Sequence, residues 1–599
     1  PLPITHYPLP ITHLKNMEKP LGSVIQGSLT QGLEVRLHAD VSVEDMRVGK
    51  FLVVRGARSH FFCMLTDVSL GTANTRILAN PPHPNDDFLQ EVLAGNSTYG
   101  TINLSPMLML SAIPEPKPMF FDMLPEKKGR KRNNNITGAE KTNTLASFIA
   151  NTNTDIELLP VKTIPTHFSQ VYEANEHDFR TVFGWEDDPY KRNFAIGKPL
   201  DMDVPVCLDL DRFVERSNGV FGKSGTGKSF LTRLLLSGII RKQAAVNLIF
   251  DMHSEYGWEA VAEGKGMNTV KGLRQLFPEQ VQVYTLDPES TRRRGIRDAH
   301  EVYLSYEQIE VEDISLVQRE LNLSEASIDN ANILRNEFGK HWIGQLLSMT
   351  NIEINDFCDE RRGHKGSIMA LQRKLQRLEN LKYIRPKGST NYVGQILNTL
   401  ESGKNVVVEF GSQSDMLSYM LVTNMITRRI HSAYVKKSEH FLMTKNPGDR
   451  PRQLVITIEE AHRFLDPAIV RSTIFGTIAR EMRKYFVTLL IVDQRPSGID
   501  SEVMSQVGTR ITALLNDDKD IDAIFTGVSG AQGLKSVLAK LDSKQQALVL
   551  GHAVPMPVVV QTRPYDETFY REIGDLDFND MSREELLKAA EAAKADLGF

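Results

Sequence analysis

Gly222-Lys223-Ser224-Gly225-Thr226-Gly227-Lys228-Ser229 is the stretch on which the fold turns. It fits G-x-x-x-x-G-K-[ST], a loop whose glycines let backbone N–H groups turn inward around phosphate oxygens. The short apolar run Val220 and Phe221 leads into it, and a helical stretch, 229–242, leaves it. That strand–loop–helix order is the setting the pattern needs, because a helix N-terminus adds positive partial charge where the phosphates sit. The eight residues and Phe230 behind them are the expected ATP-binding segment. Lys228 is expected to reach the β and γ phosphates, and the Ser229 hydroxyl to take a position on Mg²⁺.

Working outward, apolar runs that read as strands recur on the C-terminal side: AAVNLIFD (244–251), KNVVVEFG (404–411), QLVITIEE (453–460), FVTLLIVDQ (486–494) and RITALLN (510–516). Strands alternating with helical patterns imply a parallel α/β sheet. Residues from about 305 to 385 have helical periodicity and no strand signal, so they read as a helical insertion. On the N-terminal side, LEVRLHA, GKFLVVRG and HFFCMLTDVSL are short runs separated by turn residues, several of them alternating, which predicts a small barrel or sandwich. The resulting division is a barrel over 17–115, a linker with a basic loop over 116–200, a first core segment over 201–304, the insertion over 305–390, a second core segment over 391–562, and a C-terminal extension over 563–599. The extension ends in a helix with Ser582 as N-cap and Glu585 completing a capping box. Residues 1–16 carry the sequence PLPITH twice ahead of the first methionine, Met17, and are read as a non-native or disordered tail.

A phosphate loop needs carboxylates from a second element. The run Leu454, Val455, Ile456, Thr457, Ile458 ends in Glu459-Glu460-Ala461-His462. One acid at a strand tip can hold the magnesium shell through water, and its neighbour can polarise the attacking water. Glu459 is assigned to the metal and Glu460 to the general base, although many motors carry Asp at the first position. The strand between the two motifs ends Asp251-Met252-His253-Ser254-Glu255-Tyr256-Gly257; Asp251 and Glu255 either organise the site or cap the next helix. The strand ending at Gln494 offers a polar tip that can sense the γ-phosphate. An additional strand between phosphate loop and acidic strand marks the class that includes RecA-like motors. Arg480, Arg483 and Arg216, with Lys484 beside Arg483, are candidates for the cation that stabilises charge on the transferred phosphoryl group, with an ordinary solvated side chain as the alternative.

The bulk numbers narrow the class. At 599 residues, three or four domains are expected. Hydrophobic residues at 41% and charged residues at 24% describe a soluble globular chain, and a formal net charge of -5 excludes a generally basic nucleic-acid coat. The basic run Lys127, Lys128, Arg130, Lys131 and Arg132 reads as a solvated loop or a DNA-touching arm. Cys63, Cys207 and Cys358 are too far apart in sequence to suggest zinc or a disulfide framework, so a cytoplasmic setting is expected. No run of about 18 apolar residues predicts a membrane span.

Together, GKSGTGKS, DMHSEYG, IEEAH and REMRKYF with LLIVDQRPS resemble the HerA branch of the HerA–FtsK translocases, and the N-terminal β segment resembles the HAS barrel. The resemblance covers nearly everything from Met17 on, with 115–160 the least recognisable part. It implies a RecA-like P-loop ATPase core with a small N-terminal barrel, a homohexameric ring, ATP-driven movement of double-stranded DNA through the central pore, and a NurA-like nuclease or another effector at the barrel face. Lys228, Ser229, Glu459, Glu460 and Gln494 match the family's ATP site, Arg483 its arginine finger and Arg216 a second arginine of its pattern. Two other readings share the motor core: the ATPase of an antiviral complex with a nuclease or sirtuin-like effector, and a conjugation or secretion motor.

Overall fold

The structure is a computed structural model, and it describes residues 19–72, 98–112, 156–261, 269–361, 363–388, 390–528, 532–542 and 545–573. The repeated N-terminal hexapeptide, the 127–132 basic run and the expected C-terminal helix lie outside the described residues. The chain divides into two units, 1–182 and 183–599.

In the first unit, strands β1 (Gly22–Ser28), β2 (Gly32–Leu37), β3 (Phe51–Arg55), β4 (His60–Thr72), β5 (Thr98–Ala112), β6 (Ile156–Leu159) and β7 (Gln170–Glu173) form one sheet in the order β2-β1-β7-β3-β4-β5-β6. A further pairing of β2 with β5 closes six of them into a barrel, with β6 added outside on β5. Alternating side chains fill the interior: Val24, Leu33, Val35, Leu52, Val54, Phe61, Cys63, Leu65, Ile102 and Leu104 are buried in one cluster. Two register shifts between β4 and β5 give the long hairpin the curvature that closure demands. The barrel does not end at 115. Strand β7 pairs with both β1 and β3, and without it the ring of strands would be open. Four residues with a single central buried valine, Val171, gave no periodic signal to separate them from linker.

The second unit is built on a twelve-stranded sheet. Its strands are β8 (Asn193–Lys198), β9 (Val206–Asp209), β10 (Asn218–Phe221), β11 (Val246–Asp251), β14 (Val281–Thr285), β15 (His300–Glu301), β18 (Asn405–Glu409), β19 (Leu454–Glu459), β20 (Val487–Asp493), β21 (Thr509–Thr512), β22 (Gln546–Gly551) and β23 (Val558–Thr562). Two small pairs lie apart, β12 (Ala260–Val261) with β13 (Thr269–Val270) and β16 (Leu304–Ser305) with β17 (Ile384–Arg385). The order is β15-β14-β18-β11-β19-β20-β10-β21-β22-β23-β8-β9, parallel as far as β21 and antiparallel beyond it. Strands β10, β11, β18, β19 and β20 are buried along their whole length, which is why they read as unbroken apolar runs rather than alternating ones. Strand β20 lies between β10 and β19, so the additional strand is the one that ends just before Gln494.

The helices Val311–Leu316, Glu325–Phe338, Trp342–Ser348, Asn351–Arg361 and Lys365–Leu375 pack around Trp342, Leu334, Leu346 and Leu371, all fully buried. The β16–β17 pair closes this block at its base. The buried carboxylate of Asp313 ties it to the 29-residue helix Met416–Thr444, accepting from Asn424 Nδ2 (2.8 Å) and Arg428 (2.7 Å). Among the described residues no helix is long and apolar enough to cross a membrane, and the three cysteines are free and buried.

Candidate nucleotide site

The parallel half of the sheet presents its functional groups at the C-terminal tips of adjacent strands. Strand β10 runs straight into the Gly222–Ser229 loop, and the helix Lys228–Arg241 leaves it. Gly225 and Gly227 stand at φ 76° and 94°, in the left-handed region where a side chain is strained, so the loop can wrap its N–H groups inward only with glycine there. Thr226 Oγ1 donates to the Lys223 carbonyl (2.6 Å), and Lys228 Nζ donates to the same carbonyl (3.1 Å), which holds the ammonium over the loop. Lys223, Ser224 and Gly225 are exposed at the tip, and Ser229 is half-buried one residue into the helix.

Two strand spacings away, about 10 Å, strand β19 ends at Glu459. Its carboxyl is buried, and burial pushes it up to about 8. Oε1 accepts from the Tyr256 hydroxyl (2.8 Å), while the buried Oε2 has no hydrogen-bond partner. The Tyr419 hydroxyl clasps the backbone of the same residue, accepting from its N–H (2.8 Å) and donating to its carbonyl (3.0 Å). An orphaned buried oxygen at this strand tip fits Mg²⁺, a hard cation that takes few protein oxygens and keeps several waters. Ser229 and Glu459 are the residues that would hold it.

Glu460 follows in the left-handed conformation (φ 47°, ψ 42°), uncommon for a residue with a side chain. The turn breaks the line of β19, and Gln494 Nε2 donates to Glu460 Oε1 (2.9 Å). The structure therefore brings Glu460 and Gln494 together. Beside them Asp493, at the tip of β20, accepts from the backbone N–H groups of His462 and Arg495 (both 2.6 Å) and from His462 Nδ1 (3.0 Å). This carboxylate raises the affinity of the His462 ring for a proton.

Asp251 is also fully buried. It accepts three backbone N–H bonds, from Glu255 (2.7 Å), Tyr256 (2.8 Å) and Gly257 (3.0 Å), and so folds 252–257 back over the strand tips. Burial nevertheless pushes its carboxyl up. The chain continues into a turn with no helix, so Asp251 organises that turn rather than capping a helix. Glu255 contributes through its backbone, whose carbonyl accepts from Arg233 Nε (2.7 Å). Glu409, register partner of Asp251 on β18, pairs with Arg294 (2.7 Å), and burial raises its carboxyl too.

The arginines lie elsewhere. Arg216 is exposed two residues before β10, and the strand's four residues, about 13 Å of chain, separate it from the phosphate loop. Arg483 belongs to the turn Met482–Tyr485 ahead of β20, at the N-terminal end of a seven-residue strand whose far end leads to Gln494. Since β10 and β20 are parallel neighbours, both arginines belong to the sheet edge opposite their own nucleotide site.

Tyr256, Tyr419, Glu409, Asp493 and His462 were not among the expected site residues. A signal existed for two of them. NLIFD, NVVVE, LVITIE and TLLIVD all run apolar into an acid, and Glu409 and Asp493 carry that signature as plainly as Asp251 and Glu459. For the tyrosines there was none, because their partner is some 40 or 203 residues away.

Residues 194–430 match the family profile described as "Helicase HerA, central domain", and residues 21–113 match the HAS barrel domain. The chain is 25% identical over 435 residues to a Pyrococcus furiosus protein named DNA double-strand break repair helicase HerA, covering 69% of this chain and 76% of that one. It is 31% identical over 424 residues to a Methanocaldococcus jannaschii protein described as a probable helicase, covering 68% and 78%. Among solved structures, VirB4 of Thermoanaerobacter pseudethanolicus aligns at TM-score 0.39 and 13% identity, over 63% of this chain and 98% of that one. The bacterial conjugative coupling protein TrwB aligns at TM-score 0.40 and 12% identity, over 64% and 96%. Likeness this loose bears on neither substrate nor assembly.

Proposed function

Since the chain belongs to the HerA helicase family, we propose that it is an ATP-hydrolysing motor that moves double-stranded DNA through a ring of six identical subunits, beside a nuclease of the NurA kind in the resection of DNA ends. The observation that carries the reading is the set of tips of β10, β20 and β19, with a phosphate loop, a γ-phosphate sensor and an acid pair side by side. Lys228 and the loop N–H groups grip the phosphates. Ser229 and Glu459 would hold Mg²⁺, which would supply positive charge against that of the phosphates. Glu460 takes the proton of the attacking water, and the Gln494 amide holds its carboxylate toward that water.

The position of the arginines supports the ring. Arg216 and Arg483 lie at the sheet edge away from their own site, so their guanidinium groups serve the γ-phosphate of a neighbour. Arginine suits the role because its planar fork stays charged and grips two phosphoryl oxygens at once. The closed N-terminal barrel, with no phosphate loop of its own among the described residues, serves assembly and docking of the nuclease. The test is ATPase activity with and without linear duplex DNA, run beside a native mass measurement. A mass of six chains and several-fold stimulation by duplex are expected; a monomer indifferent to DNA would sink the reading.

A further inference from the structure

Tyr256 does nothing in the hydrolytic scheme above, yet it is completely buried and donates its hydroxyl proton to Glu459 Oε1 at 2.8 Å. A tyrosine hydroxyl placed in a protein interior needs a partner, and this one has chosen a carboxylate that is itself buried. Its backbone is equally constrained. The Tyr256 N–H is one of the three that Asp251 gathers, and Gly257 after it packs so closely on Glu409 that a Cβ there would stand 2.7 Å from Glu409 Oε1. The backbone that carries the ring is therefore set by groups on β11 and β18, and the hydroxyl by Glu459 on β19.

The consequence falls on Glu459. With Oε1 engaged by Tyr256 and the backbone clasped by Tyr419, the only oxygen of this carboxylate left without a partner is Oε2. We propose that Tyr256 is a positioning residue for the metal: it ties down one oxygen of Glu459 so that the other is presented, in one fixed orientation, to Mg²⁺ and its waters. This rests on the reading of Glu459 as the metal-holding carboxylate. Hydrogen-bond partners behind a ligating carboxylate commonly change metal affinity by about 10–100-fold when removed. Without the hydroxyl, the Glu459 side chain could rotate either oxygen inward, and the ordered arrangement would have to be recovered at the moment of binding.

The full-length protein with a non-hydrolysable ATP analogue provides the test, with Mn²⁺ as the probe metal followed by electron paramagnetic resonance. Tyr256→Phe keeps the ring and deletes only the hydroxyl. It should weaken Mn²⁺ binding by about tenfold while metal-free binding of the analogue is unchanged. In steady state the Mg²⁺ concentration for half-maximal hydrolysis should rise by a similar factor, with kcat recovering at saturating Mg²⁺. Introduced on top of Glu459→Gln, the same substitution should change Mn²⁺ affinity no further. If Glu459→Gln weakens Mn²⁺ binding but Tyr256→Phe leaves it as in the parent protein, the positioning role is overturned. If Glu459→Gln itself leaves Mn²⁺ binding intact, the assignment of the metal to Glu459 fails instead. A fall in kcat that excess Mg²⁺ does not rescue, with Mn²⁺ affinity unchanged, also overturns the proposal.

Discussion

At the scale of single residues, two carboxylates one position apart are held in different surroundings. Glu459 is enclosed by two tyrosines, whereas Glu460 is swung out of the strand by a left-handed backbone and meets Gln494. Glu460→Gln should therefore bind ATP as tightly as the parent and lose hydrolysis by about 10²–10⁴-fold, the usual worth of a general base. Single-turnover assays against an ATP-binding titration separate the two effects; normal hydrolysis would move the base to Glu459. The buried Glu459 carboxyl also has a consequence for stability. Its value is raised from 4.5 to about 8, so between these limits the folded, metal-free protein keeps a proton that the unfolded chain has released. Stability then falls as pH rises through that window and levels off above it, with a slope of at most about 1.4 kcal/mol per pH unit for one group. Urea unfolding in EDTA at pH 5, 6, 7 and 8 should show the decline, and Glu459→Gln should flatten it. Glu409 shifts in the same direction and leaves a residual slope.

At the scale of elements, short pieces around the site are fixed by polar anchors rather than by length. Arg510, on β21 beside the phosphate-loop strand, is buried without a carboxylate partner among the described residues. Its guanidinium donates to the carbonyls of Met504 and Ile524, at the C-terminal ends of the helices Ser501–Gln506 and Asp518–Ile524. A cation there satisfies the Ile524 carbonyl, joins the Val507 N–H on the Met504 carbonyl, and complements two helix dipoles at once. Burial lowers its value to about 10, and it stays charged at neutral pH. Arg510→Met preserves the volume and strands the Ile524 carbonyl, while that of Met504 keeps the Val507 N–H. It should cost roughly 1–3 kcal/mol per unsatisfied group in urea unfolding, while ATP binding by the intact fraction stays close to that of the parent. The long helix Met416–Thr444 has a comparable double duty, carrying Tyr419 at the Glu459 backbone and Asn424 and Arg428 at Asp313 of the helical block.

At the scale of the whole molecule, the sheet separates the nucleotide-site candidates from the candidate arginines. The phosphate loop and acid pair lie at one edge, and Arg216 and Arg483 at the other. Lys228→Ala should abolish hydrolysis because it removes the charge on the β and γ phosphates. Arg483→Ala should bind ATP and hydrolyse it poorly. Mixed in exchangeable rings, the two inactive proteins should regain part of the parent ATPase activity wherever an intact loop faces an intact arginine. Mixtures that stay as inactive as their components would exclude Arg483 as the group acting across the interface. Any truncation aimed at the barrel must remove residues through 182, since β7 belongs to it and a cut at 115 would leave that strand without its neighbours.

By itself, the sequence determined the chemistry that depends on local spacing. GKSGTGKS prescribes its own loop because glycine geometry and a helix N-terminus act within eight residues, and LVITIEE announces a buried strand ending in acid. The alternation in LEVRLHA likewise betrayed a half-buried strand. Tertiary structure decided everything that depends on which strands are neighbours. That β20 separates β10 from β19, that β7 closes a barrel from beyond residue 115, and that Tyr256 and Tyr419 both converge on Glu459 are facts of pairing across long stretches of chain. Parallel strands are joined by crossovers of a dozen or more residues, which leave no periodic trace of the partner each strand will take. The candidate site residues are therefore written in order along the chain, while the groups that pack against them are chosen only when the sheet forms.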